Sequence, residues 1–215
     1  MKTKTYLFAL LFIALPASVF AQSDPKATAL LTKVSKVYQS YSTINSTFIL
    51  TTTSAEKKSN KSSGTVWLKG SKYKLNYAGQ EIFCNGKFIW TYNVLDKEVT
   101  KEVYKVKDNT ITPNEIFTIY NRDFKNAYEG PTVVGGKTYI VIKMVPKKTV
   151  NYSYIKLEID QSTNKIQRLI QHFKNGSEVV IAIDKFTPNT PIADTFFEWS
   201  AAAHPGVTMV DLTKK

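Results

Sequence analysis

GTVWLKGSKYKLNYAGQEIFCNGKFIWTYNVLDKEVTKEVY, residues Gly64–Tyr104, is the stretch that decides the fold. Apolar and polar residues alternate through it, and the runs are broken at Gly70, Ala78-Gly79, Asn85-Gly86 and Asp96-Lys97. Alternation at period two puts every second side chain on the same face of a pleated strand. The four breaks read as tight hairpin turns, Asn-Gly the strongest because both of its residues tolerate positive φ. The stretch is therefore a meander of antiparallel strands. One face is expected to carry Tyr73, Leu75 and Tyr77 together with Trp90 and Tyr92.

Upstream of the meander, Ile44–Thr53 is rich in β-branched residues and reads as a strand, followed by a polar loop over 54–63. Residues 24–41 read as an amphipathic helix. Asp24 suits the N-cap and Pro25 the first helical position. Ala27, Leu30, Leu31, Val34, Val37, Tyr38 and Tyr41 make one apolar stripe, with Lys26, Lys33 and Lys36 off it. Downstream, Thr112 and Pro113 open a short helix whose Ile116, Phe117 and Tyr120 share one side.

Strands then resume, with turns at Gly135-Gly136, Gln161–Asn164 and Asn175-Gly176. Ile155, Leu157 and Ile159 fall on one face, as do Val179, Ile181 and Ile183. Thr187–Pro191 is a rigid connection to a last aromatic cluster, Phe196, Phe197 and Trp199. The expected architecture is mainly β with helical lids (α+β). About 11 strands form a single antiparallel sheet, curled because a sheet of that size curls. The helices cover its concave apolar face.

The chain has 215 residues and a formal charge of +12. Lys2 and Lys4, the apolar run Tyr6–Leu15 and the small residues Val19 and Ala21 read as a secretory signal peptide spanning residues 1–21, cleaved after Ala21. The apolar run is too short to cross a bilayer, and no cysteine follows the cut to take a lipid. Residues 22–215 are then one exported, medium-sized domain with a sizeable core. Its lysines, among them Lys69, Lys72, Lys74, Lys143 and Lys156, alternate with apolar residues and read as the solvated outer face of a sheet rather than a nucleic-acid patch. The single cysteine, Cys84, excludes an internal disulfide and reads as a small buried side chain.

Catalytic signatures are missing: no nucleophile elbow, no phosphate loop, no His-Glu-x-x-His. His172 and His204 stand in unrelated contexts without acidic or cysteine partners at ligand spacing, so no metal, cofactor or catalytic residue is assigned. What is abundant is apolar surface, with 12 Tyr, 12 Phe and 3 Trp. Tyr and Trp, whose polar tips need partners, suit a cavity for an apolar ligand; an ordinary core between sheet and helices is the alternative.

Three segments carry a resemblance to a known family. Asn85–Asn93 (NGKFIWTYN) resembles a D-G-K-x-x-W-x-Y-N strand pair, Gly64–Lys69 a G-x-x-W-x-K strand, and Phe196–Trp199 with Pro205–Asp211 a C-terminal F-x-F/W … P-x-G-V-x-V-x-D ending. In this order, behind a signal peptide, they resemble the periplasmic outer-membrane lipoprotein carriers, the LolA-like proteins. The resemblance implies an unclosed β-barrel with helical lids. Its cavity would bind the acyl chains of lipoproteins in the periplasm, between an inner-membrane lipoprotein-releasing transporter and an outer-membrane acceptor.

The cavity residues expected on this basis are Trp67, Tyr73, Leu75, Tyr77, Trp90, Tyr92 and Leu157. Leu31, Val34, Tyr38, Ile116, Phe117 and Tyr120 form the lid side, and the chain acts as a monomer. Better-known members follow the G-x-x-W-x-K strand with Arg-Pro, whose Arg latches the lid; here Gly70-Ser71 stands at that turn. The alternatives are a lipid-sensing or scaffold protein of the cell envelope, on the same fold, that binds a protein partner or another lipid, and a secreted enzyme with a site around His172.

Overall fold

The structure, a computed structural model, describes residues 23–105 and 123–214. The expected signal segment and the expected helix that opens at Pro113 lie outside the described residues. Helix α1 (Pro25–Gln39) is followed by strands β1 (Ile44–Thr53), β2 (Ser59–Lys69), β3 (Lys72–Tyr77), β4 (Gln80–Cys84), β5 (Phe88–Asn93) and β6 (Glu98–Val103). The second half adds β7 (Phe124–Val134), β8 (Lys137–Pro146), β9 (Tyr152–Asp160), β10 (Ile166–Phe173), β11 (Glu178–Pro188) and, after two short 3-10 turns, β12 (Thr208–Asp211).

All twelve strands form one open sheet in the order β12-β6-β5-β4-β3-β2-β1-β11-β10-β9-β8-β7. Each half is a meander of sequential hairpins, and the β1–β11 ladder joins the halves. The strand beyond the expected eleven is β12, four residues that pair parallel to β6 and cover its open edge, the one parallel ladder among the described residues. The opposite edge, β7, is covered locally. Asp24 donates its N–H to Asn126 O, and Asn126 and Tyr128 donate theirs to the Ser23 and Asp24 side chains. Occupied edges leave fewer free N–H and C=O groups for another chain to pair with.

The expected turns are present, but their chemistry is redistributed. At Ala78-Gly79 both central residues have positive φ, 49° and 77°, and Tyr77 pairs with Gln80 across the two-residue loop. Asn85-Gly86 is a wider turn in which only Gly86 has positive φ. There Asn85 Oδ1 accepts from the N–H groups of Lys87 and Phe88 at 3.0 and 2.9 Å, so the asparagine contributes its side chain rather than a left-handed backbone.

Helix α1 lies where its stripe predicts. Asp24 caps it, Oδ1 accepting from Lys26 N–H at 2.7 Å. Ala27, Leu31, Val34 and Tyr38 are buried against Ile142, Met144, Ile155, Leu157 and Ile159 of the second meander. Its far end is pinned where Ile166 N–H donates to the Tyr38 hydroxyl at 3.0 Å. Burial pushes the Tyr38 hydroxyl pKa well above its ordinary value; the Ile166 hydrogen bond opposes that rise.

Gly64, buried in the middle of β2, has a packing role. A Cβ there would lie 2.3 Å from Phe48 Cζ and 2.9 Å from Asn76 O. The Phe48 ring of β1 occupies the space a side chain would need, directly across the ladder.

Candidate functional site

The sheet curls around α1, and the face it turns toward the helix is the apolar one. Directly opposed residues share a face, so the register decides membership. Tyr73 pairs with Cys84 and Cys84 with Ile89; Leu75 pairs with Ile82 and Ile82 with Thr91. Tyr73, Leu75, Tyr77, Ile82 and Cys84 therefore line the concave side with Leu157, which the same rule links through β10, β11, β1 and β2.

Trp67, Trp90 and Tyr92 lie on the other side, correcting the expectation that they join Tyr73 in one cavity. Trp67 is opposite Lys74, Lys74 opposite Phe83, Phe83 opposite Trp90, and Tyr92 opposite Glu81 and Val99. The reason is parity. Each of the two hairpin turns exchanges odd for even positions, so two turns return the concave side to the odd residues Ile89 and Thr91.

On the concave side the degree of cover differs between the halves. Leu31, Val34, Tyr38 and Leu157 are buried against one another, closing the part under α1. Ile116, Phe117 and Tyr120 lie outside the described residues. Toward the first meander, Leu75, Ile82, Ile89, Ile181 and Phe186 are only half-buried, packed against the margin of that core, and Tyr77 is half-buried beside them. Tyr73 is buried with its ring 6.5 Å from that of Tyr104. Burial raises the pKa values of the Tyr73 hydroxyl and the Cys84 thiol. Both groups are held neutral, and Cys84 is a packing residue.

The convex side of the first meander holds an arrangement missed by the sequence reading. After β11 the chain folds back over this face as a strap. Asp194 accepts ion pairs from Lys69 (2.9 Å) and Lys72 (2.7 Å), while Lys69 Nζ also donates to Ile192 O at 2.7 Å. Those hydrogen bonds, first from Lys72 and then from Lys69, hold the Asp194 carboxyl down at about 2. Phe196 meets Trp67 edge-on at 5.4 Å, Phe197 is fully buried, and the Lys74 ammonium sits over the rings of Phe83 and Phe196 at 4.4 and 5.2 Å. Farther along, Trp199 stacks on His204, which also meets Tyr92 at 5.1 Å and donates from Nδ1 to Ser200 O.

Part of the aromatic surplus thus forms a second core in which Trp199 of the strap packs with Phe83, Trp90, Tyr92 and Val99. The lysines expected to be simply solvated are on the outer face, yet they are engaged. Lys74 also pairs with Glu81 at 3.1 Å, Lys156 with Glu129 at 2.7 Å, and Lys143 lies over Tyr154 at 4.4 Å. The signal available in sequence was the spacing of Lys69, Lys72 and Lys74 around Gly70-Ser71, followed by an acid and two phenylalanines after the rigid Thr187–Pro191. At the turn where the resemblance places a latching Arg, these lysines bind the strap instead.

His172 has an acidic partner after all. Its Nδ1 is 3.1 Å from Glu178 across the β10–β11 pair, and its ring lies over Tyr154 at 4.3 Å. Among the described residues no group of three or more His, Cys, Asp or Glu side chains could hold a metal ion, and no helix is long and apolar enough to cross a membrane.

An open curled sheet with a helix in its concavity and a strap on its back defines the class of unclosed-barrel proteins. The chain belongs to the outer membrane lipoprotein carrier protein family, LolA, whose model matches residues 39–200. A search of curated protein sequences finds no match. Among solved structures, an uncharacterized conserved protein from Thermus thermophilus superposes with a TM-score of 0.60 at 11% identity, covering 86% of this chain and 99% of that one. A DUF1329 family protein from Desulfovibrio piger gives 0.50 at 14% identity, covering 86% and 100%. MucB gives 0.50 at 13% identity, covering 84% of this chain and 65% of that one. At these identities the likeness is one of fold.

Proposed function

We propose that the mature chain is a periplasmic carrier. It takes the acyl chains of lipoproteins onto the concave face, between the first meander and α1, and passes them from the inner to the outer membrane. The observation that carries this reading is the half-buried apolar strip of Leu75, Tyr77, Ile82 and Ile181 at the margin of the α1 core, in a chain of this family. Each methylene withdrawn from water is worth about 0.8 kcal/mol, so a lipoprotein crosses an aqueous compartment only with its chains covered. The strip makes broad, weakly directional contact, which permits release as well as capture. Leu31, Val34 and Tyr38 of α1 form the lid side, and its opening would extend the strip to Leu157.

The test is titration of the delipidated protein with a fluorescent fatty acyl probe, combined with mass spectrometry of lipids extracted from the freshly purified protein. The reading expects saturable binding and co-purifying acyl lipid. Tyr77→Glu should weaken binding at least tenfold while the denaturation midpoint stays near wild type. Absence of saturable binding, or a stable protein partner recovered without lipid, overturns the carrier reading and favours the envelope scaffold.

A further inference from the structure

Two cavities lie side by side along the β1–β2 ladder, lined chiefly by outward-facing residues and sharing only Tyr77 with the concave strip. One, of about 530 Å³, is lined by Thr47, Ser63, Thr65, Asn76 and Asp184 among others. The second, of about 500 Å³, is lined by Asn45, Trp67, Phe196 and the strap residues Thr190–Ala193. They share a floor. Thr47 is opposite Thr65 and Asn45 is opposite Trp67, successive outward-facing pairs of the β1–β2 ladder. From Ser63 to Trp67 this floor runs about 13 Å along β2.

We propose that this groove binds a short neutral saccharide. The polar cavity supplies hydroxyl, amide and carboxylate groups, and the adjoining cavity supplies the Trp67 indole, against which the C–H face of a sugar ring packs. The Asn76 side-chain carbonyl lacks a hydrogen-bond partner, so a small rotation of the amide offers an acceptor to the first cavity. Asp184, already accepting from Thr47 Oγ1 at 3.0 Å, keeps carboxylate capacity for a further hydroxyl.

Charge argues against ions. Asp184 and Lys185 both line the first cavity, and Glu81 pairs with Lys74 at 3.1 Å, so the lining has no excess of either sign to select an ion. The ladder argues against an added peptide strand. β1 and β2 are hydrogen-bonded on both sides, and no backbone edge is open at the floor. The polar lining of the first cavity argues against an acyl chain there.

The experiment is isothermal titration of the mature protein with maltotriose and with chitotriose, read in parallel with tryptophan fluorescence. The expected result is saturable binding of at least one of them. Asp184→Ala and Thr65→Val should each weaken it about tenfold, while acyl-probe binding stays unchanged, since neither residue is on the concave face. No saturable binding of either sugar up to millimolar concentration by the folded protein overturns the proposal. Binding that both variants leave undiminished overturns it too. The outcome is independent of the carrier reading, which is tested by the acyl probe, the extracted lipids and the recovery of a protein partner.

Discussion

Gly64→Ala tests the close contact between β1 and β2. The added methyl would sit 2.3 and 2.8 Å from two atoms of the Phe48 ring and 2.9 Å from the backbone carbonyl of Asn76. The ring can give a little; the carbonyl, held in the β2–β3 ladder, gives less. Overpacking of this kind costs about 1–3 kcal/mol, and the immovable carbonyl places Gly64→Ala near the upper end. Loss of glycine's freedom in the unfolded chain returns about 0.4–1 kcal/mol, which leaves a net loss of about 2 kcal/mol. For a chain of this size that lowers Tm by about 4–8 °C.

Phe48→Ala alone should cost about 3–5 kcal/mol, because Phe48 is buried. The double variant removes two of the three short contacts and leaves the one to Asn76 O. Its loss should therefore fall short of the sum by about 1–2 kcal/mol, within the range for touching residues. Urea denaturation followed by tryptophan fluorescence gives all four corners of the cycle. A Gly64→Ala midpoint within about 0.5 kcal/mol of wild type, or a double variant whose losses simply add, would refute the reasoning.

Three further predictions rest on single residues. Asp194 has its carboxyl held down to about 2 against an ordinary 3.8, so its contribution to stability is complete above about pH 4 and is lost as pH falls toward 2; Asp194→Asn should remove that part of the acid dependence of the urea midpoint. Ala78 has φ 49°, a left-handed conformation that glycine adopts freely, and Ala78→Gly should stabilise the protein by about 0.5–1 kcal/mol in the same assay. Cys84 is fully buried with its thiol pKa raised, so labelling by a disulfide reagent should follow global unfolding rather than bulk thiol reactivity, and a fast native-state reaction would contradict this placement.

The elements were legible in the sequence because their signals are local. Alternation, β-branched runs, the Asp24-Pro25 helix start and the turn residues at Gly70, Ala78-Gly79 and Asp96-Lys97 depend on neighbours in the chain. The curl of the sheet followed from strand number, and the unclosed barrel from the family resemblance carried by three spaced motifs. The division of faces was also within reach, since counting through two even-length turns separates Trp90 and Tyr92 from Tyr73 without any structure. The strap was not. That Asp194 would find Lys69 and Lys72, or that His204 would stack on Trp199, depends on where a chain leaving β11 lands on strands far away in sequence. Of the expected cavity residues, Tyr73, Leu75, Tyr77 and Leu157 are on the apolar concavity, and Trp67, Trp90 and Tyr92 are on its back.

The β1–β11 ladder has a consequence in time. Each meander consists of hairpins between sequential strands, contacts that close quickly because little chain separates them. The seam is different in kind: the Thr47–Asp184 hydrogen bond that belongs to it joins residues 137 apart, and the core that buries the α1 stripe draws on both meanders, so it is complete only after the second is synthesised. The two halves should gain hairpin structure independently and early, and the zipping of β1 onto β11 should govern the observed folding rate. Substitutions along the seam, such as Leu50→Ala opposite Ile181, would then slow folding, while substitutions in the hairpins far from it would chiefly hasten unfolding.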